Sequence, residues 1–120
     1  MAKYMLILGG ADLDKRSGNT ELAPAMMHKY MSWMSSLTAT GRYVSSHKLF
    51  DQTGKRPTLR GGEIIDGPFV ETKDAVGGIV VIEATSLDDA TAIASECPVL
   101  RLQNGYVEVR VIEEVRPASR

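Results

Sequence analysis

The sequence of 120 residues contains a single cysteine, Cys97, so no intramolecular disulfide can form. A lone cysteine is typical of proteins that work in a reducing compartment, and the cytoplasm is the expected location. The short apolar stretch at the N-terminus stops at Gly9-Gly10 and lacks the length and cleavage site of a signal peptide. No segment approaches the roughly 20 apolar residues that a membrane-spanning helix needs. The sequence therefore predicts no association with a membrane.

An excess of charge of either sign is also missing. The chain has 14 basic and 15 acidic residues, a net charge of -1, and no run of like charges. A surface dedicated to nucleic acid usually shows as a basic excess or stripe, so no nucleic-acid partner is expected. Repeats, low-complexity tracts and linkers are absent from the sequence. Residues 1–120 are therefore predicted to form one domain.

Motifs for common cofactors are lacking as well. Neither Gly9-Gly10 nor Gly77-Gly78 has the spacing of a phosphate loop or a dinucleotide fingerprint, and a bulge or a close backbone approach explains Gly77-Gly78. His28, His47 and Cys97 are too far apart in the sequence to indicate a zinc site. We expect neither a metal nor a cofactor, and Cys97 is interpreted as a buried core thiol.

What is present is an alternation of strand and helix patterns that predicts an α+β fold. The element order β-α-β-hairpin-β-α-β favours a split βαβ, ferredoxin-like sandwich with interior strands at both Lys3–Leu8 and Val76–Ala84. The other predicted elements are a helix capped by Thr20 and ended by Gly41, a strand Arg42–Phe50, a hairpin of Thr58–Arg60 and Glu63–Asp66 joined by Gly61-Gly62, a helix from Ser86 to Pro98, and a strand Tyr106–Glu113.

The helical patterns predict which residues form the core. The apolar stripe of the first helix comprises Met27, Tyr30, Met31, Met34, Leu37 and Thr38, and that of the second comprises Leu87, Ala90, Ile93, Ala94 and Cys97. Trp33 is offset from the first stripe, and either the loop before the helix or a subunit contact could cover it. Two helices cover only one face of the sheet. A second copy of the sheet is the simplest cover for the other face, so a homodimer is expected.

Several sequence segments carry a resemblance to a known family. The segment Asp66-Gly67-Pro68-Phe69-Val70-Glu71-Thr72-Lys73-Asp74 resembles the signature of DGPF-type, YCII-related proteins, and the first strand, Cys97-Pro98 and the last strand are similar as well. The resemblance implies a dimeric α+β barrel. The wider group has a proposed acid-base pair with a histidine on the first helix, but His28 falls beside the apolar stripe, so that role is not transferred.

Candidate site residues follow from strand alternation. On the strand Arg42–Phe50, His47 shares a face with Tyr43, Ser45 and Leu49, while Glu108 and Arg110 are expected to point away from the helices. A histidine near a carboxylate can act as acid or base near neutral pH. The predicted catalytic residues are His47 and Asp66. The predicted ligand-binding residues are Gly67, Pro68, Phe69, Glu71, Lys73, Glu108 and Arg110.

Each candidate also has a purely structural interpretation. Asp66-Gly67-Pro68-Phe69 has the composition of a rigid turn, in which Asp66 accepts backbone hydrogen bonds. Glu71 and Lys73 are often solvated or ion-paired when they are isolated charges. His47 can be a surface histidine on a polar strand. The sequence leaves these alternatives open.

Two functions from different classes remain. The first is a small-molecule-binding protein or a cofactor-independent isomerase or lyase, acting on a small aromatic or carbonyl compound. This follows from the polar set on an apolar sheet face, and distant relatives of the same barrel degrade or isomerise small aromatic compounds. The second is a non-catalytic regulatory module, because related domains occur beside alternative sigma factors. Whether the protein is an enzyme is not decided by the sequence.

Overall fold

The computed structural model describes residues 1–10, 24–49, 54–68 and 76–118. These residues form a four-stranded antiparallel sheet in the order β2-β5-β1-β6 and a separate two-stranded sheet of β3 and β4. The elements are β1 (Ala2–Gly9), α1 (Pro24–Ala39), β2 (Tyr43–Lys48), β3 (Lys55–Arg60), β4 (Glu63–Pro68), β5 (Val76–Ala84), α2 (Leu87–Ala94), a 3-10 helix (Pro98–Arg101) and β6 (Tyr106–Val111).

This arrangement confirms the predicted α+β class. The two apolar strands that the sequence marked as interior, β1 and β5, occupy the centre of the four-stranded sheet. The strand order agrees with a split βαβ sandwich, in which the first and third sheet strands lie side by side. No helix in the described part of the chain is long and apolar enough to cross a membrane.

The hydrophobic core lies between one face of the sheet and the helices. From the sheet it includes Tyr4, Leu6 and Leu8 of β1 and the alternating residues of β5 that face them. From the helical side it takes residues of α1, α2 and the 3-10 helix. Among the described residues, this core cluster consists of Tyr4, Leu6, Leu8, Trp33, Met34, Leu37, Val80, Ile82, Ala84, Ala90, Ala94, Cys97 and Val99. The residues that lie between these core positions on β1 and β5 therefore point to the opposite face of the sheet.

The buried stripe of α1 differs from the predicted one. Trp33, Met34 and Leu37 are buried, whereas Met31 is 54% exposed and Met27 is 41% exposed. The indole N–H of Trp33 donates to the carbonyl oxygen of Ile93 at 3.3 Å, which draws α1 toward α2. The prediction gave too much weight to the methionines. The spacing of apolar residues fits two stripes on α1, one with Met27 and Met31 and one with Trp33, and the two differ by a small rotation about the helix axis.

The end of α1 follows the sequence prediction. Gly41 has φ of 74°, a left-handed conformation that glycine adopts without strain. Its N–H donates to the carbonyl of Thr38 at 3.1 Å, and the N–H of Arg42 donates to the carbonyl of Leu37 at 2.8 Å. These two bonds form a Schellman motif, which directs the chain into β2. The predicted cap, Thr20, lies outside the described residues.

The start of α2 also agrees with the prediction. The hydroxyl of Ser86 accepts a hydrogen bond from the backbone N–H of Asp89 at 3.0 Å. The carboxylate of Asp89 does not complete a capping box, because it accepts from Thr85 and Arg42 instead. The helix ends at Ala94, earlier than the predicted stop at Pro98, which begins the 3-10 helix. Leu87 was placed on the buried stripe but is 55% exposed.

The predicted hairpin is present and is longer than expected. Gly61 and Gly62 have φ of 61° and 84°, as a two-residue turn with both residues left-handed requires. Beyond the predicted ends, Lys55 pairs with Pro68 and Arg56 with Gly67. Asp66 lies in strand β4, as the predicted strand Glu63–Asp66 has it, and β4 continues through Gly67 and Pro68, so the alternative interpretation of these three residues as a rigid turn was wrong. Hydrogen bonding between two strands took precedence over local turn propensity here.

Candidate functional site

The sheet has one face turned away from the helices, which we call the open face. Its centre is apolar and consists of Met5 and Ile7 on β1 and Ile79 and Val81 on β5. Met5, Ile7 and Ile79 are half-buried in one chain, while Val81 is 9% exposed. In the sequence, β5 reads as a continuous apolar run, so the division of its residues between two faces came only from the pairing.

Two rows of side chains cross the open face from edge to edge. In the first row, His47, Ile79, Ile7 and Glu108 stand on four neighbouring strands, each opposite the next. In the second row, the corresponding residues are Ser45, Val81, Met5 and Arg110. Opposite residues in an antiparallel sheet point to the same face. Each row therefore has two apolar residues in the middle and a polar residue at each end.

His47 lies on the edge strand β2 and is exposed in one chain. It shares the open face with Ser45, as predicted, but Tyr43 does not. A bulge at Val44 places Tyr43 opposite Ile82 and Ser45 opposite Val81, which face opposite sides of the sheet. Tyr43 instead joins Ser46 on the helical side, where their hydroxyl oxygens are 2.9 Å apart. No sequence signal marks this bulge, because the local alternation of side chains continues through Val44.

Glu108 and Arg110 lie on the other edge strand, β6. They point to the open face, as the alternation predicted, while Val107 and Val109 pack against the core. The guanidinium of Arg110 donates to the carboxylate of Glu108 at 3.1 Å, and both side chains are exposed. An exposed pair of this kind contributes little to stability, typically up to about 1 kcal/mol, so both groups can be used for other contacts at small cost.

Asp66 is placed on the hairpin and not on the four-stranded sheet. Its carboxylate lies 3.5 Å from the ammonium of Lys55, and both side chains are exposed, at 59% and 77%. The same hairpin face carries Leu59 and Ile64, which are opposite one another and 69% and 70% exposed. All described side chains of β3 and β4 are exposed. The described side chains of this hairpin therefore add nothing to the buried core.

The remaining residues of the predicted site divide into two groups. Gly67 and Pro68 pair with β3 through the backbone of β4. Phe69, Glu71 and Lys73 lie outside the described residues. The structure therefore brings His47, Glu108 and Arg110 to one face of one sheet, as expected, and places Asp66 on a separate sheet. The catalytic and ligand-binding roles of all these residues stay predictions.

Two ionisable groups lie in or against the hydrophobic core and outside the predicted site, the thiol of Cys97 and the phenol of Tyr30. Burial raises the pKa of the Cys97 thiol to about 11, and Cys97 is 2% exposed, as expected of a core thiol. Burial also raises the pKa of Tyr30 to about 12, with a smaller contribution from the nearby Cys97. Both groups are neutral at physiological pH, with Tyr30 on α1 and Cys97 between α2 and the 3-10 helix. Within the described ranges, no three histidine, cysteine, aspartate or glutamate residues are close enough to hold a metal ion.

The fold and the sequence together define a class and a family. The described residues are those of an α+β domain with two helices on one face of an antiparallel sheet. Residues 4–116 match the YCII-related domain family. Because the match covers nearly the whole chain, the protein belongs to the YCII-related family. It is also similar to an uncharacterised protein of Rhizobium meliloti (strain 1021), with 34% identity over 96 residues that cover 72% of this chain and 77% of the relative.

Proposed function

We propose that this protein is a homodimeric small-molecule-binding protein whose two sheets pack through their open faces as a dimeric α+β barrel. The observation that carries this proposal is the pair of rows on the open face, with an apolar centre and polar ends. Ligand sites in proteins are mostly apolar with a few well-placed polar groups. A second sheet over this face would remove the partly exposed Met5, Ile7 and Ile79 from water.

The ligand class that fits is a small aromatic or carbonyl compound. The apolar centre of each row can contact the flat or short apolar part of a ligand. At the ends of the rows, Arg110 or His47 can bind a carboxylate or carbonyl oxygen. The chemistry we propose is cofactor-independent proton transfer, as in an isomerase or lyase, with His47 and Asp66 as candidate acid-base groups. Imidazole changes charge near neutral pH, which suits it to this role. Gly67, Pro68, Phe69, Glu71, Lys73 and Glu108 are proposed to contribute to ligand binding.

A thermal-shift screen of the purified protein against small aromatic acids, lactones and hydroxylated carbonyl compounds tests this function. A ligand at about 100 times its dissociation constant stabilises a protein by roughly 2.7 kcal/mol, which is easily detected. We expect His47→Ala and Asp66→Ala to reduce the shift. His28→Ala, on the exposed side of α1, and Glu63→Ala, on the same hairpin strand as Asp66, are the matched controls. Equal ligand-induced thermal shifts in all four variants would show that neither His47 nor Asp66 contributes to the site.

A regulatory module is the second candidate, and the hairpin favours it. Leu59 and Ile64 present adjacent apolar side chains on an exposed hairpin face, next to the Lys55–Asp66 ion pair. Such a patch is typical of a contact with another protein. Affinity capture from the native host with the wild type and with the L59S/I64S variant tests this function. A partner captured by the wild type alone would support it, and the same proteins captured by both would not.

A further inference from the structure

The two ends of the first row on the open face carry chemically matched groups that cannot meet within one chain. His47 is at the β2 end and Glu108 is at the β6 end, with Ile79 and Ile7 between them. Neighbouring strands are about 4.8 Å apart, so three spacings separate the two backbones by roughly 14 Å. Neither side chain is long enough to bridge that distance across two isoleucines. If the imidazole of His47 pairs with a carboxylate over this face, that carboxylate must therefore come from outside the row of its own chain.

We propose that the two-fold axis of the dimer runs parallel to the strands, so that His47 of one protomer faces Glu108 of the partner subunit. This rests on the face-to-face dimer of the proposed function and adds that the site is shared. Rotation about such an axis keeps each row in place and exchanges its ends. The β2 edge of each sheet then lies over the β6 edge of the other. The dimer has two identical sites, each built from both protomers.

The second copy fits this face because the face is complementary to itself under that rotation. The apolar centre meets an apolar centre, with β1 of each protomer over β5 of the other. The polar side chains of Ser45 and His47 meet the charged side chains of Arg110 and Glu108, so the charged groups gain polar partners and like charges stay apart. An axis perpendicular to the strands would instead gather two copies of Glu108 and Arg110 at one edge. Both copies of His47 would then lie at the other edge, away from these carboxylates.

A shared site also defines the ligand more closely. It contains an imidazole from one protomer and, from the other, a carboxylate held beside a guanidinium at 3.1 Å. A guanidinium binds a carboxylate through two parallel hydrogen bonds. The site therefore fits a small compound that carries a carboxylate on an apolar body. Arg110 would hold the anion and His47 of the partner subunit would lie near the rest of the molecule.

Site-specific cross-linking tests the axis without knowledge of the ligand. The variants are H47C, E108C and the double variant H47C/E108C, treated with a short bis-maleimide at neutral pH. The only native thiol, Cys97, is 2% exposed, so the wild type is the matched control. Both substituted positions are exposed in one chain, and far-ultraviolet circular dichroism will verify the fold of each variant. We expect a covalent dimer from the double variant only, with the cross-link mapped by mass spectrometry between positions 47 and 108 of different chains.

Other outcomes separate this inference from the proposed function. Cross-linking of H47C to itself would place β2 over β2 and overturn the axis while retaining a dimer. An uncross-linked double variant that sediments as a dimer would overturn the shared site alone. A monomer at all concentrations in analytical ultracentrifugation would overturn both the dimer and the shared site.

Discussion

The guanidinium of Arg42 donates to the carboxylate of Asp89 at 2.6 Å, joining the residue before β2 to the first turn of α2. The same guanidinium nitrogen donates to the carbonyl of Glu83 at 3.3 Å. Asp89 also accepts from the backbone N–H and the hydroxyl of Thr85, at 2.9 and 3.0 Å. One carboxylate thus fixes the start of α2 relative to two strands of the sheet.

These contacts predict a loss of stability in acid. Hydrogen bonds from the Thr85 backbone and then from Arg42 hold the pKa of Asp89 below its usual value. A carboxyl group with a lowered folded-state pKa stabilises the fold above its unfolded pKa of about 3.9, and this stabilisation is lost as pH falls through the folded value. We expect Asp89→Asn to lower the melting temperature at pH 7 and to flatten its decline below about pH 4.

Asp88→Asn is the matched control for that experiment. Asp88 lies in the same first turn of α2 and is exposed, so its removal changes the helix-dipole interaction without removing the Arg42 contact. Melting curves from pH 2 to 7 for the wild type and both variants are the measurement. The same pH profile for the two variants would show that the contacts of Asp89 have no special role.

The observed stripe of α1 predicts unequal effects of two substitutions. Trp33 is 6% exposed and donates to Ile93, so Trp33→Ala should cost about 3 to 5 kcal/mol in the free energy of unfolding. Met31, which is 54% exposed in one chain, should cost less than about 1 kcal/mol when replaced by alanine. Urea unfolding measures both values. A similar loss of unfolding free energy at the two positions would contradict the observed stripe and support the one that the sequence predicted.

A methyl group at Gly105 should be poorly tolerated. A β-carbon added there would overlap the backbone carbonyl of Val99, the second residue of the 3-10 helix. Because backbone cannot move aside easily, Gly105→Ala should lower the free energy of unfolding by about 1 to 3 kcal/mol or more.

Gly41→Ala provides a comparison in which only backbone conformation matters. A β-carbon at Gly41 meets nothing within 4 Å, and its cost of about 1 kcal/mol should come from the φ of 74°. If Gly105→Ala proved as stable as the wild type in urea, the tight approach to Val99 would be wrong.

Cys97 should be unreactive in the folded protein and should affect stability in alkali. Its thiol is buried and its pKa is raised to about 11, so the reactive thiolate is scarce at pH 8. A group with a raised folded-state pKa stabilises the fold below its unfolded pKa, about 8.5 for cysteine. That contribution is lost as pH rises toward about 11. We expect slow labelling by a thiol reagent at pH 8 and fast labelling in denaturant.

An exposed thiol on the same protein calibrates that rate. Ser35 is exposed on α1, so the S35C variant should gain one rapidly labelled site while Cys97 stays slow. Two rapidly labelled thiols in folded S35C would contradict the buried position of Cys97.

The sequence by itself determined the α+β class, the two central strands, and the glycine turns at Gly41 and Gly61-Gly62. These features depend on local chemistry: apolar strands that are covered on both faces, a capping serine, and glycines in left-handed conformations. The alternation of Glu108 and Arg110 with the valines of β6 was likewise enough to predict their face. Each of these signals lies within a few residues of the feature that it specifies.

The tertiary structure alone decided the features that depend on pairing between distant segments. The bulge at Val44 separates Tyr43 from His47, although their local alternation would place both on one face. Pairing with β3 placed Gly67 and Pro68 in a strand and not in the predicted turn, and the bond to Ile93 helped to bring Trp33 into the core. The alignment of His47 with Glu108 requires three strand registers at once. A shift of one residue in any of these registers would turn the side chains of that strand to the other face of the sheet. No local sequence pattern specifies all three registers together.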